Sequence, residues 1–467
     1  MRWGFVAIGR PTFDVPFAQE SADAALANLR AAGWDVVGSA DVAMDIGAVN
    51  DRLADAISAE VEALIILQAT FADSSLAMAA TAHELPVVLW AISEERTGGR
   101  LRLNSFCGIN LAAYTLSTAG RDYRWVLAPA DDPSAPAAIS EALAGGVPSH
   151  RANETTARPV PGAVAVARAK EVRARLADTT VGRVGERPDG FEPCGYEAAT
   201  LREVLGVTVD EVALPELFER SASAAPETVA AARARASGFL DGVDEVDQVA
   251  LDASLRMNAG LKSLIEDHGW SGVATRCWPE TFTEFGGAAC TPMAMLTDDH
   301  TPGSCEADVY GNITGLVLSW LGESPSFVAD LVDLDTDTST NTGVVWHCGL
   351  APFDMADPES TPVATIHSNR RKPLLSEFPL KPGRVTIARF SQSKGRHRLT
   401  IGGGEMLRRP LPFSGTAGVL RFDTPVDDVL ETIMSEGLEH HYGLVYADVR
   451  EELRALANEI GIAVIEL

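Results

Sequence analysis

Between Trp3 and Ala91, four short apolar runs, WGFVAIG, WDVVGSA, ALIILQA and LPVVLWA, are separated by stretches of helical periodicity around 18–32, 47–60 and 74–83. Unbroken apolar runs of this length suit strands buried on both faces, and the intervening helices suit crossover connections. The rhythm predicts a doubly wound, flavodoxin-like parallel sheet over residues 1–160. Ligands of such sheets meet the loops at the carboxyl ends of strands, which singles out Arg10 and the Gln68-Ala69-Thr70-Phe71 loop.

A Pro- and Ala-rich interval near 128–160 loosens the pattern. A second α/β unit then runs over 161–332, with helices expected at 161–178, 225–240, 245–267 and 308–321 around the strand-like GVATRCWPE. After Asp330 the texture changes to β-rich runs with turn punctuation, TGVVWHCG, TPVATIHS, PGRVTIARFS, HRLTIGGGE and GVLRFD. These predict a barrel-like C-terminal domain over 333–467. It ends in a helix around DVREELRALANEIG and a strand, IAVIEL. The triglycine Gly402-Gly403-Gly404 lacks the Lys-Ser/Thr and the helix of a phosphate loop, and reads as a hairpin turn between LTI and EML.

A chain of 467 residues has room for about three domains. Its net charge of −27 argues against nucleic acid or an anionic membrane surface as partner, and favours a cation or a small neutral molecule. The start MRWGFVAIGRPTFD lacks the pattern of a signal peptide, and no run reaches the roughly 18 apolar residues of a membrane span. A cytoplasmic protein is expected, in which the sequons at Asn153 and Asn312 carry no meaning. The six cysteines include no CxxC pair, so neither a zinc ribbon nor a thioredoxin-like motif is present.

Chemistry concentrates in the second half, in Cys305-Glu306-Ala307-Asp308, Asp330, Trp346-His347-Cys348-Gly349 and His440-His441. Two carboxylates with an imidazole can hold one hard or borderline divalent cation and leave positions open for a polyhydroxy substrate. Each residue also has a plainer reading. Glu306 precedes a helix, whose N-terminus favours a negative charge. Asp330 ends SFVAD, as an acid at the carboxyl end of a strand or a turn cap would. His347 could be a satisfied core imidazole. The adjacent His440 and His441 point in different directions, so at most one is a natural ligand. The basic stretches Arg370-Arg371-Lys372 and Lys394, Arg396, Arg398 suit either solvated loops or an anionic substituent.

The combination is more specific than its parts. Gly-Ser-Cys-Glu306-Ala-Asp followed by Phe327-Val328-Ala329-Asp330, with the two acids 24 residues apart, resembles the L-fucose isomerase family. So do the tail from His441 through YGLVYADVREELRALANEIGIAV, Cys277-Trp278-Pro279-Glu280 and Asp189-Gly190-Phe191-Glu192. The resemblance implies a Mn²⁺-dependent aldose–ketose isomerase assembled as a homo-hexamer. In it Glu306, Asp330 and His441 are metal ligands, and the two acids also form the acid–base pair. His347 follows Asp330 by 17 residues, matching a fourth ligand of the related L-arabinose isomerases and departing from ordinary fucose enzymes.

Substrate contacts fall to Arg10 and Phe71, donated by a neighbouring subunit in the resembling enzymes, and to Trp278, Glu280 and His440. The expected substrate is an open-chain pentose, 6-deoxyhexose or modified, for example sulfonated, hexose. An anionic group on it would pair with Arg10, Arg276 or the 370–372 stretch. The alternatives are a non-catalytic sugar-binding protein and a metal-dependent hydrolase or lyase.

Overall fold

The computed structural model describes residues 1–146, 161–335 and 339–467. Asn153 and much of the interval expected to separate the first two units lie outside the described residues. Strands β1 (Arg2–Ile8), β2 (Asp35–Ala43), β3 (Ala63–Gln68), β4 (Val87–Ala91) and β5 (Arg124–Leu127) form a parallel sheet in the order β2-β1-β3-β4-β5. The expected helices are Val15–Ala31, Ile46–Ser58 and Ser74–Ala80.

The helix Ser105–Thr118 escapes a reading by periodicity because SFCGINLAAYTLST is buried almost all round and has no polar face. It is sandwiched between the first sheet and the C-terminal part, where Asn110 Nδ2 donates to the Leu438 carbonyl at 2.6 Å. The strand order reverses between β1 and β3, which parts the loops that follow them and opens a crevice. Arg10 and Phe71 stand on those two loops.

A second parallel sheet contains β6 (Thr180–Val184), β7 (Thr208–Val212), β8 (Gly272–Thr275) and β9 (Gly303–Ser304), in the order β7-β6-β8-β9. Its reversal lies between β6 and β8, whose following loops carry Phe191 and Trp278. The two crevices face each other. Ser74 N and Oγ donate to the Gly190 carbonyl at 3.1 and 2.6 Å, and the Phe71 and Phe191 ring centroids lie 5.5 Å apart.

The third sheet is mixed. It comprises β10 (Phe327–Leu334), β11 (Thr342–His347), β12 (Val363–Thr365), β13 (Leu375–Pro379), β14 (Gly383–Ser391), β15 (Arg398–Leu407), β16 (Thr416–Phe422), β17 (His441–Val445) and β18 (Ala463–Glu466). The order is β12-β13-β16-β11-β10-β17-β14-β15-β18. A further β15–β16 pairing makes the ladder through β16, β11, β10, β17, β14 and β15 return on itself.

Two expectations are corrected here. The triglycine is not a turn: β15 runs straight through it, and a Cβ at Gly404 would meet the Arg421 carbonyl at 2.3 Å, so the missing side chains admit neighbouring chain. Asp330 does not end a strand either. It lies inside β10, directly opposite His441 of β17 on one side and Trp346 of β11 on the other.

The helix Val309–Gly322 lies against β17 at Gly443, where a Cβ would come within 2.7 Å of Leu318 Cδ1 and 2.9 Å of Thr314 Cγ2. Replacing Gly443 therefore overpacks the contact that seats this helix on the strand carrying His441. We expect Gly443→Ala to destabilise the fold by about 1–3 kcal/mol, read as a lowered midpoint in denaturant unfolding. No described helix is long and apolar enough to cross a membrane.

Candidate active site

Three sheets supply the site. Glu306 follows β9 in a turn in which Glu306 and Ala307 both adopt left-handed backbone angles, with φ of 59° and 54°. Two consecutive non-glycine residues there cost roughly 1–2 kcal/mol each. The turn is held by the Ala307 N–H donating to the Thr275 carbonyl and the Asp308 N–H donating to the Cys305 carbonyl, both at 3.0 Å. Glu306 thereby enters the pocket while Asp308 caps the helix behind it, accepting the Gly311 N–H at 2.9 Å.

The third sheet brings Asp330, His347 and His441. Opposed residues of an antiparallel pair hold their Cβ atoms about 5 Å apart, and His441 Nε2 lies 3.3 Å from Asp330 Oδ1 and 3.7 Å from Glu306 Oε2. The other ring nitrogen, Nδ1, is 2.8 Å from Asp308 Oδ2. His347, Asp330 and His441 offer ligand atoms within 4.8 Å of one another. Glu306, His440, His441 and Cys194 do the same, but burial pushes the Cys194 thiol up, and a protonated thiol is a poor ligand.

Burial alone would raise the Glu306 carboxyl, but the His440 hydrogen bond at 3.1 Å and the charges of His441 and His440 outweigh it and hold the group down at about 2. Asp330 differs: burial raises its carboxyl despite the nearby His441 and His347. Burial opposes protonation of His441 too, yet the bond to Asp308 and the carboxylates of Glu306 and Asp330 raise it. Burial lowers both His347 and His440, so those rings stay neutral more readily.

The pocket above these groups is lined by Arg10, Phe71, Asn104, Phe191, Trp278 and Arg370, among others. Phe191 joins the aromatic wall, packing edge-on against Trp278 at 5.1 Å and His440 at 6.1 Å. The Trp278 indole N–H donates to Glu306 Oε1 at 3.3 Å. Arg10 and Phe71 line this pocket in the same chain as Glu306.

Glu280 is not in the pocket wall; Arg276 grips its carboxylate with bonds of 2.7 and 2.7 Å and also donates to the Glu186 and Arg187 carbonyls. Arg276 is thereby occupied within its own loop. The pocket residues Asn104, His367 and Asn369 went unnoticed in the sequence. They sit in loops whose approach depends on long-range packing, and no motif marks them.

Known proteins resemble this chain along most of its length. The family description "Fucose/sulfoquinovose isomerase, N-terminal domain" matches residues 4–139, and "L-fucose isomerase, C-terminal domain" matches residues 346–467. A protein of Clostridium sp. (strain MSTE9) named sulfoquinovose isomerase is 30% identical over 463 residues, covering 97% of this chain and 96% of that one. Sulfoquinovose isomerases of Alkalicoccus urumqiensis and Priestia aryabhattai are 28% and 27% identical, over 89% and 98% of this chain and 88% and 97% of theirs. By class this protein is an aldose–ketose isomerase, and the non-catalytic sugar-binding alternative falls. The chain belongs to the L-fucose isomerase family.

His367 shapes the rim loop, its Nδ1 accepting the N–H groups of Asn369 at 3.2 Å and Arg370 at 3.3 Å. Burial pushes this imidazole down from 6.5 to about 4. The unfolded chain thus takes up the proton first as pH falls, and stability contributed by the neutral ring drains away between roughly pH 6.5 and 4, by up to about 3 kcal/mol. The melting-temperature gap between wild type and His367→Gln is expected to be widest at neutral pH and to narrow toward pH 4.

Proposed function

We propose that this chain is a divalent-cation-dependent aldose–ketose isomerase, with Mn²⁺ as the cation, acting on an open-chain sulfonated hexose. One observation carries the cation. His441 stands among three carboxylates, with Nδ1 2.8 Å from Asp308 Oδ2 and Nε2 turned toward Asp330 Oδ1 at 3.3 Å and Glu306 Oε2 at 3.7 Å. Asp330 Oδ1 is buried and makes no hydrogen bond. Acceptors converging at such distances repel unless a proton or a cation lies among them. Two carboxylate oxygens and an imidazole nitrogen suit a hard or borderline divalent ion, and His441 is the member common to the two groups of close ligand atoms, one with Asp330 and His347 and the other with Glu306 and His440.

The reaction moves a weakly acidic proton from C2 of an aldose to C1, and the proton of the O2 hydroxyl to O1. Glu306 and Asp330 flank the sugar, one removing the proton and the other returning it. Trp278 and His440 steady the two oxygens of Glu306 from opposite sides, which keeps its carboxylate in one orientation. The wall of Phe71, Phe191 and Trp278 covers the carbon faces of the chain and excludes water from the exchanging proton. When bound, the cation supplies Lewis-acid polarisation of the carbonyl and neighbouring hydroxyl.

The relatives' named substrate supports the sulfonate, and so does the pocket mouth. The Arg10 and Arg370 guanidinium carbons each lie 4.6 Å from the Trp278 ring centroid. Burial lowers the pKa of both, and like-charge repulsion from Arg370 depresses Arg10 further. Arg10 has Asp73 only at 3.9 Å, and Arg370 has no carboxylate ion pair among the described residues. Two half-buried cations left so nearly unneutralised are a seat for a trigonal anionic head.

Glu306→Gln is expected to lower turnover by at least about a thousandfold, and chelation of the cation should abolish activity until Mn²⁺ is restored. Proton NMR in D₂O should report ketose formation with deuterium incorporated at the exchanging carbon. An aldose panel that yields neither, sulfonated hexoses included, would overturn this reading. Arg370→Gln should raise KM for a sulfonated hexose about ten- to a hundredfold while sparing an uncharged sugar, since a charge-assisted hydrogen bond contributes roughly 1.5–3 kcal/mol.

A further inference from the structure

Asp308 does not line the pocket, yet it is buried and both of its carboxylate oxygens are paired. Only 1% of it is exposed, as is true of Arg389. Its Oδ1 accepts the Gly311 N–H at 2.9 Å and Arg389 Nη2 at 3.0 Å. Its Oδ2 accepts Arg389 Nη1 and the His441 Nδ1 hydrogen, the latter at 2.8 Å. Arg389 comes from β14 and also donates to the Pro193 carbonyl at 3.4 Å. Three separate segments of chain therefore fix both oxygens of one carboxylate.

We propose that Asp308, clamped by Arg389, is a positioning residue that sets the tautomer of His441 and so makes Nε2 available to a cation. This rests on the cation reading above. A carboxylate only accepts hydrogen bonds, so the pairing admits one arrangement: proton on Nδ1, lone pair on Nε2. Arg389 removes any freedom for Asp308 to turn away, and the cap to Gly311 sets the height of the carboxylate over the helix axis.

An asparagine at this position has nearly the same shape and still caps a helix well. Its oxygen, however, is claimed by the donors Arg389 and Gly311 N–H. The amide NH₂ group then faces His441 and donates to Nδ1, which drives the ring proton to Nε2 and closes the ligand position. A substitution that removes one charge far from the sugar thus switches a ligand into a hydrogen-bond donor.

The test is Mn²⁺ binding to the full-length protein, followed by the electron paramagnetic resonance signal of the free ion, with the melting temperature of the cation-free protein as a control on folding. Asp308→Asn is expected to raise the Kd for Mn²⁺ about ten- to a hundredfold, and to add nothing further in a His441→Gln background. Binding within about twofold of wild type, or an equal loss in both backgrounds, would overturn the proposal. Should Asp308→Asn fail to fold, a long-range ¹H–¹⁵N spectrum of histidine-labelled wild-type protein at alkaline pH reads the tautomer directly. Its His441 signals are assigned by their loss in His441→Gln; a neutral ring protonated at Nδ1 supports the proposal and any other state overturns it. If wild type itself binds no Mn²⁺, the cation reading fails; if wild type and Asp308→Asn bind alike, only the positioning role fails.

Discussion

The pairing of β10 with β17 is the constraint on which the site depends. It sets Asp330 opposite His441, and once these two are fixed the remaining charged groups have little choice. Glu306 must approach from a different sheet, Asp308 must stand behind the ring, and Arg389 must offset the buried negative charge of Asp308. A buried ion pair is a poor source of stability, since desolvation consumes most of its attraction. Here the Asp308–Arg389 pair fits the proposed orienting role better than a stabilising one, and losing either partner would leave an uncompensated charge beside His441.

The two parallel sheets contribute differently. Each has a reversal of strand order, and each reversal opens a crevice at the carboxyl ends of its strands. The crevices are joined face to face through Ser74 and Gly190 and through the Phe71–Phe191 contact. Neither sheet encloses the sugar alone. The aromatic wall is shared between them, while Glu306, Asp330, His347 and His441, to which the proposed reaction assigns the chemistry, come from the turn after β9 and from the third sheet. In that proposal binding and chemistry belong to different parts of the fold and meet only along one seam.

The strand–helix rhythm of the first unit was legible because buried parallel strands and amphipathic helices leave strong, distinct periods. The helix Ser105–Thr118 was not, since it is enclosed on all sides and carries no polar stripe. The triglycine misled for a related reason: glycine marks turns and close approaches alike, and only the neighbouring Arg421 carbonyl tells which applies. For the site, the spacing of Glu306 and Asp330 and the tail beginning at His441 pointed, through their resemblance to a family, to residues that the structure brings together. Glu280 did not reach the pocket, because an arginine four residues before it, Arg276, captures its carboxylate. The supporting role of Asp308 was hidden in plain view beside Glu306, since nothing in the sequence couples it to Arg389 and His441 across 81 and 133 residues.

The doublet His440-His441 has a consequence of its own. His440 stands just before β17, and its ring centroid is 4.1 Å from that of His441, so that both reach Glu306 Oε2 yet have unlike tasks: His440 steadies Glu306 by a hydrogen bond while His441 turns between Asp308 and the paired acids. The segment from Gly437 to His441 thus encodes a register as well as an identity. Exchanging one side chain for another leaves that register intact, whereas inserting or deleting a single residue there would move His440 off Glu306 or His441 away from its place opposite Asp330. Variation among related chains should accordingly be freer in letters than in length at this point.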